Sequence, residues 1–367
     1  MEQFLFWTFV TFLSIHLAYY LVVFRKLSFP SQAKNTPKNI GISVLICAKN
    51  EAENLKLLLP SIIEQDYANY ELVLINDHSS DDTLSVMEHY ANNYPKIKVV
   101  NVKATEAFLS SKKYALTLGI KASSHDYLLF TDGDCRPSSK NWISEMSSHF
   151  TNEKTIVLGH GAYQTKPGLL NKLIRFETVI TAMHYLGFAL LGKPYMGVGR
   201  NLAYRKDEFF NVNGYTRHMN VLSGDDDLFI NEVANSINTS VALSEASSTI
   251  SLPPDSFKQW WRQKRRHVST SSLYKTSDQV KLGLSYLSNF MTWILFILLI
   301  TLQIKWQIST GLIVAKVLIT WILFFRSCKV LNEKGIGILY PILEPILLSI
   351  QLCIFIANLI SKPKHWN

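Results

Sequence analysis

The sequence predicts an α/β domain built on a mostly parallel sheet and flanked by transmembrane helices. Two observations carry that expectation. Between residues 41 and 131 short apolar runs alternate with amphipathic stretches, and apolar segments long enough to span a bilayer stand towards both ends of the 367-residue chain. The mean hydropathy of +0.10 averages over this unevenness, because residues 40–280 read as an ordinary soluble domain.

Taken in order, Phe4 to Phe24 contains no Asp, Glu, Lys or Arg and is long enough to cross a membrane as a helix. Arg25, Lys26, Lys34 and Lys38 follow it, whereas a cleaved leader carries its positive charges before the apolar run. Residues 1–26 therefore read as an anchor whose C-terminal end faces the cytoplasm. Residues 27–39, with Pro30 and Pro37, suit a linker. Strands are expected at Gly41–Cys47, Glu71–Ile75, Ile97–Val102 and Tyr127–Thr131, and helices at Glu53–Glu64, Asp82–Tyr90 and Lys112–Ile120. This alternation predicts a parallel sheet covered on both faces. The domain is expected to occupy residues 40–280, and residues 281–367 to hold about three membrane helices, near 282–304, 308–325 and 338–360. The 326–334 loop carries Arg326, Lys329 and Lys334 and is placed inside, which gives four crossings with both termini outside. Lys362 and Lys364 run against that orientation. Pro341, Glu344 and Pro345 leave the last segment open to a kinked or re-entrant path. Lys316 and Glu344 either pair within the bundle or leave Lys316 facing a polar groove.

The formal net charge of +9 arises from 37 Lys and Arg against 28 Asp and Glu. Beside membrane segments the positive-inside bias explains such an excess, and no nucleic-acid partner is expected. Cys47, Cys135, Cys328 and Cys353 form no C-x-x-C pair, so neither a zinc site nor a disulfide framework is indicated.

In parallel sheets, ligands collect at the carboxyl ends of the strands, and three acidic groups stand at such places. Asp77 directly follows a strand, where it can accept hydrogen bonds from a base or ribose; Ser80 or Asp82 beyond it suits a helix N-cap. Asp132-Gly133-Asp134 closes another strand. Two carboxylates flanking a glycine repel each other unless a cation lies between them, and a hard divalent ion bridging to phosphate oxygens is the economical one. Gly224-Asp225-Asp226-Asp227 opens an amphipathic stretch; its aspartates suit a helix N-terminus, or one of them a general base. Lys112 or Lys113 is placed to reach a phosphate or a base. Gly197-Val198-Gly199-Arg200-Asn201 is glycine-rich, but Leu202 stands where a dinucleotide fingerprint needs its third glycine. Trp260-Trp261-Arg262-Gln263-Lys264-Arg265-Arg266-His267 mixes aromatics with cations, as a membrane-interface belt does.

Together, in order and spacing, these elements resemble the family 2 glycosyltransferases of GT-A fold over about residues 41–270. The resemblance runs from Ala48-Lys49-Asn50-Glu51 through Asp77, Lys112 with its Ala-Leu-x-x-Gly stretch, and Asp132-Gly133-Asp134. It closes with Gly-x-Gly-x-Asn201, the Asp225 cluster and Gln263-x-x-Arg266. It implies that Ala48, Asn50, Glu51, Asp77, Lys112 and Asp132 hold a nucleotide-sugar, and that Asp134, with Asp132, ligates Mg2+ or Mn2+ on the diphosphate. It implies Asp225 as the base, with Asp226 in reserve because Gly224 replaces the family's acidic residue just before the cluster. Asn201, Gln263, Arg266 and His267 would meet the acceptor or the diphosphate; His267 replaces the Trp of the Q-x-x-R-W motif of membrane-bound members. The implied protein is an integral membrane, inverting transferase with a cytoplasmic catalytic domain. Its donor would be a nucleoside-diphosphate sugar, by family analogy UDP-linked, and its acceptor a lipid or glycan. A processive polysaccharide synthase is one alternative, disfavoured by only about three spans after the domain. A non-catalytic membrane scaffold or transporter is the other, disfavoured by the intact acidic sites.

Overall fold

The computed structural model describes residues 1–31, 38–103, 112–221 and 223–361. Lys34, Pro37, Lys362 and Lys364, and the rest of residues 32–37 of the expected linker, lie outside the described residues. Contacts divide the chain into two compact units. Of the described residues, one unit comprises 1–31, Pro167–Leu191 and 256–361; the other comprises those within 38–166 and Gly192–Asp255.

The second unit holds the sheet. Its strands β1 (Ile42–Ala48), β2 (Tyr70–Asp77), β3 (Ile97–Val102), β4 (Tyr127–Asp132), β6 (Ile156–Leu158), β8 (Leu202–Arg205) and β9 (Thr239–Val241) lie in the order β3-β2-β1-β4-β8-β6-β9. All pairings are parallel except those of β8, which runs antiparallel to both β4 and β6. A small second sheet joins β5 (Cys135–Pro137), β10 (Thr249–Ser251) and β7 (Gly161–Tyr163). The helices of this unit are α3 (Ala52–Ile63), α4 (Thr83–Asn93), α5 (Lys112–Ala122), α6 (Trp142–Ser148), α8 (Lys206–Asn211) and α9 (Asp227–Val233).

Every residue of β1 is buried, which is why Ile-Ser-Val-Leu-Ile-Cys-Ala reads as a continuous apolar run. Helix α3 brings Leu55, Leu58, Leu59 and Ile62, at helical spacing, onto Val44, Ile46, Leu72 and Leu74. Each such side chain contributes about 1.5–3 kcal/mol by leaving water. Gly119 lets α5 approach β2, because a Cβ there would stand 2.1 Å from Ile75 Cδ1. The register sets Ala48 opposite Asn76 and Cys47 opposite Asp132, so Ala48, Asp77 and Asp132 finish their strands along one edge.

The first unit is helical. Helix α1 (Glu2–Ala18) continues through a π-helical turn (Tyr19–Phe24) into α2 (Arg25–Ser28). Then come α7 (Leu169–Leu190), α10 (Phe257–Thr270), α11 (Thr276–Thr301), α12 (Trp306–Val330) and α13 (Tyr340–Ile360). Among the described residues four helical segments, Glu2–Ser28, Thr276–Thr301, Trp306–Val330 and Gly337–Ile360, are long and apolar enough to cross a membrane. The last is continuous rather than broken: Pro341 falls in the first turn of α13, where a missing N–H costs no bond, and Pro345 follows within the helix. The expected 40–280 domain includes segments that contacts group with these helices. Neither α7 nor α10 carries the long uncharged run that marks a span in the sequence.

Within this unit Lys316 is fully buried and is paired rather than merely facing a groove. Its Nζ lies 3.0 Å from Glu344 Oε1 and donates to Asn289 Oδ1 at 3.1 Å, and it sits over the Trp293 ring. Asn289 Nδ2 and Trp293 Nε1 donate to the two Glu344 oxygens at 2.7 and 3.2 Å. Either Lys316→Met or Glu344→Gln alone strands a buried charge and is expected to cost about 3–5 kcal/mol, whereas the double variant recovers most of it. Melting temperatures of the three variants in detergent check this; a double-variant loss equal to the sum of the two single losses would mean the pair is not coupled.

A candidate active site of converging carboxylates

Three loops meet at the carboxyl edge of the sheet. Asn50, at φ 57°, accepts from Ser80 N at 2.8 Å through Oδ1, while its own N–H donates to Ser79 Oγ at 3.1 Å. Glu51 N–H donates to Thr83 Oγ1 at 2.8 Å and Ala52 N–H to Asp81 Oδ2 at 3.3 Å. These bonds tie the loop after β1 to the loop after β2. Asp81 also accepts from Thr83 N at 3.1 Å, so the side chain that caps α4 is Asp81 rather than Ser80 or Asp82. Asp77 is buried, with His78 Nδ1 at 2.7 Å from its Oδ1, and Lys49 Nζ lies 2.9 Å from His78 Nε2. The third loop is Asp132-Gly133-Asp134. Only glycine fits comfortably at 133, since a Cβ there would stand 3.3 Å from Ala48 Cβ and 3.4 Å from Glu51 Cβ.

The first turn of α5 settles which lysine serves the site. Lys112 Nζ lies 2.8 Å from Asp132 Oδ1 and 3.1 Å from Asp225 Oδ2, so one ammonium links the strand-end carboxylate to the distant acidic cluster. Burial opposes its charge, but Asp132 and Asp225 outweigh burial and hold its pKa well above the usual lysine value. Lys113 points elsewhere. Its Nζ donates to the carbonyls of His218, Val221 and Ser223 at 2.6, 3.0 and 2.7 Å, clamping the segment that leads into Gly224.

The three neighbouring aspartates separate by geometry. Asp226 accepts from Gly199 N–H at 2.6 Å with one oxygen and from Asp227 N–H at 2.8 Å with the other, and it is the N-cap of α9. Asp227 turns back to Leu228 N–H at 2.8 Å. Burial, then Asp225 and Asp227, push the Asp226 carboxyl up to about 7. Burial acts on Asp225 in the same sense, but Lys112 overrides it and lowers its pKa. Asp225 and Asp226 line a cleft with Cys47, Lys112, Asp132 and Gly199.

A metal would find hard donors at the third loop. Ligating atoms of Asp132, Asp134 and Cys135 lie within 4.8 Å of one another. Burial, then the adjacent Asp132, raise the Asp134 pKa, and Arg200 offsets only part of that rise. Two carboxylates beside a cleft fit Mg2+ or Mn2+. Cys135 is fully buried and committed inward, 2.9 Å from Ser251 Oγ, and its thiol donates to Asp134 Oδ1 at 3.3 Å.

Asn201 is not available to a ligand. Its Nδ2 donates to the His160 and Ser247 carbonyls at 2.8 Å each, and its Oδ1 accepts from Trp142 Nε1 at 3.0 Å. It braces the loop from within and corrects the expectation that it meets acceptor or diphosphate. Gln263, Arg266 and His267 lie on α10 and belong to the first unit. On that helix Trp260 is fully buried, not part of an interface belt, and Lys264 pairs with Glu177 of α7. Arg200 had no expected role, yet it stands beside the third loop. Its Nη1 donates to Ser251 Oγ at 3.2 Å and its guanidinium lies over the Tyr163 ring. No nearby residue in sequence signals this, because Tyr163 and Ser251 come from β7 and β10.

An α/β sheet whose strand ends gather a buried aspartate, an Asp-Gly-Asp turn and a third acidic cluster is arranged as in a nucleotide-sugar-binding GT-A fold. Residues 43–210 match the model of glycosyl transferase family 2. The chain is 26% identical over 248 residues to the probable glycosyltransferase YdaM of Bacillus subtilis, covering 65% of this chain and 57% of that protein. It is 33% identical over 138 residues to a poly-beta-1,6-N-acetyl-D-glucosamine synthase of Staphylococcus epidermidis, covering 37% and 32%. The chain thus spans little more than half, or less, of the curated relatives it matches. Among solved structures, the mannosyltransferase PcManGT of Pyrobaculum calidifontis, in complex with GDP-Man and Mn2+, superposes with a TM-score of 0.60 at 14% identity, covering 91% of this chain and all of that one.

Proposed function

We propose that the chain is an inverting, metal-dependent glycosyltransferase that moves a sugar from a nucleoside-diphosphate sugar to a lipid-linked or membrane-associated acceptor. The observation that carries this reading is Lys112, which bridges Asp132 at the end of β4 and Asp225 ahead of α9. Donor-binding and proton-accepting carboxylates thereby face one cleft. The complex of PcManGT with GDP-Man and Mn2+ supports a nucleoside-diphosphate donor used with a metal; UDP is the leaving group favoured by family analogy.

In this mechanism Ala48, Asn50, Glu51 and Asp77 border the nucleotide, and Lys112 and Asp132 hold it. Asp132 and Asp134 would hold a divalent ion, which would supply neutralising charge for the diphosphate. Asp225 takes the proton from the acceptor hydroxyl as its oxygen attacks the anomeric carbon. The bond from that carbon to the diphosphate breaks with inversion, and Lys112 offsets the charge on the departing oxygen. Asp226, with both oxygens committed to backbone N–H groups, is the less available base.

We assign the membrane-length apolar helices to the membrane, and Arg25, Lys26, Arg326, Lys329 and Lys334 support a catalytic domain on the cytoplasmic side. Modification of engineered cysteines within 40–280 by an impermeant thiol reagent on intact cells would contradict that orientation. The reaction class is tested by NMR of the product: an α-linked donor should yield a β-linked product, and retention would refute single displacement.

A further inference from the structure

The backbone and side chain of Arg200 are fixed by strands from both sheets. Thr131 Oγ1 and Thr249 Oγ1 both donate to its carbonyl, at 3.0 and 2.9 Å. The guanidinium Cζ stands 4.3 Å from the centroid of the Tyr163 ring, and a Cβ at Gly161 would come within 3.2 Å of Arg200 Cβ. Among the described residues the guanidinium donates one hydrogen bond, Nη1 to Ser251 Oγ at 3.2 Å, and forms no ion pair with a carboxylate.

Its place is as informative as its unused donors. On one side, Ser251 Oγ lies 2.9 Å from Cys135 Sγ, which adjoins Asp134. On the other, the preceding Gly199 N–H donates to Asp226 at 2.6 Å. Arg200 therefore lies between the Asp132–Asp134 turn and the Asp225–Asp226 cluster. We propose that Arg200 docks a phosphate group beside the Asp132–Asp134 turn, a role that rests on the transferase reading above. A planar fork of N–H donors, already oriented by a ring and a hydroxyl, matches two phosphate oxygens with little ordering cost. Phosphate is also the anion that a carboxylate-rich edge tolerates once a metal is bound. Its source is either the diphosphate of the donor or a phosphate on the acceptor.

The test uses the full chain in lipid nanodiscs with two probes: pyrophosphate with Mn2+, and a polyprenyl monophosphate incorporated in the disc. Arg200→Gln should weaken at least one by about 10-fold or more. Loss confined to pyrophosphate assigns the donor, and loss confined to the lipid assigns the acceptor. Arg200→Lys keeps the charge but loses the fork, so it should fall between wild type and Gln; it serves as the readout if the Gln variant does not fold. Ser251→Ala should weaken the same probe a few-fold. Affinities within two-fold of wild type for both probes would overturn the proposal while leaving the transferase reading intact. A wild-type protein that binds no nucleoside diphosphate, with or without Mn2+, would instead overturn that reading and this proposal with it.

Discussion

Asp225→Asn is expected to lower turnover at least about 100-fold, with donor affinity nearly unchanged. The amide keeps the side-chain shape and a contact for Lys112 but cannot accept the acceptor's proton. Lys112 retains Asp132 at 2.8 Å, so the nucleotide side of the cleft survives. The neighbouring substitutions should behave differently. Asp226→Asn loses one of two backbone acceptances and weakens the cap of α9, a stability loss of about 1 kcal/mol, with turnover reduced through the shifted Gly199 loop. Asp227→Asn should be mild, since that carboxylate accepts from Leu228 N–H at the start of the helix, a contact that the amide oxygen of Asn can keep. Turnover and donor affinity measured side by side for all three decide the matter. Equal, modest losses would make the cluster structural and move the base elsewhere.

Asp134→Ala is expected to reduce turnover on the order of 1000-fold and to remove the metal dependence of donor binding. In the wild type, added Mn2+ should tighten nucleoside-diphosphate binding, because Asp132 and Asp134 otherwise repel the diphosphate. Without Asp134 that enhancement should vanish, while the fold persists. The substitution even relieves a buried carboxyl whose pKa is raised by its own burial and by Asp132. Calorimetric titration of nucleotide with and without Mn2+ reads the effect directly. Near-normal activity of this variant across metal concentrations would refute the metal assignment.

The central sheet was legible because parallel strands buried on both faces read as apolar runs. The expected strand at Ile97–Val102 coincides with β3, and β1, β2 and β4 differ from expectation by one or two residues at their ends. The antiparallel β8 and the three-residue strands β6 and β9 were not legible. Their pairing depends on partners far away in the chain and leaves too short a run for periodicity to register. The acidic motifs were visible as residues, but their division of labour was not. Lys112 and Lys113 are adjacent and alike in composition, and only the turn of α5 sends one to carboxylates and the other to carbonyls. Asn201 looked like a ligand because it sits in a glycine-rich loop. Its three bonds go to His160, Ser247 and Trp142, none of which is its neighbour in sequence. The membrane-length helices were found from apolar length alone, whereas α7 and α10 join them by packing.

The most direct measurement is sugar transfer by detergent-solubilised protein presented with a panel of nucleotide-sugars, Mn2+ and a membrane lipid extract. If the cleft between Asp132 and Asp225 transfers sugar, one donor should release its nucleoside diphosphate while its sugar appears on an extracted acceptor. The release should require the metal and disappear in Asp225→Asn. A folded wild-type protein that turns over no donor in the panel, by transfer or by hydrolysis, would contradict the assignment.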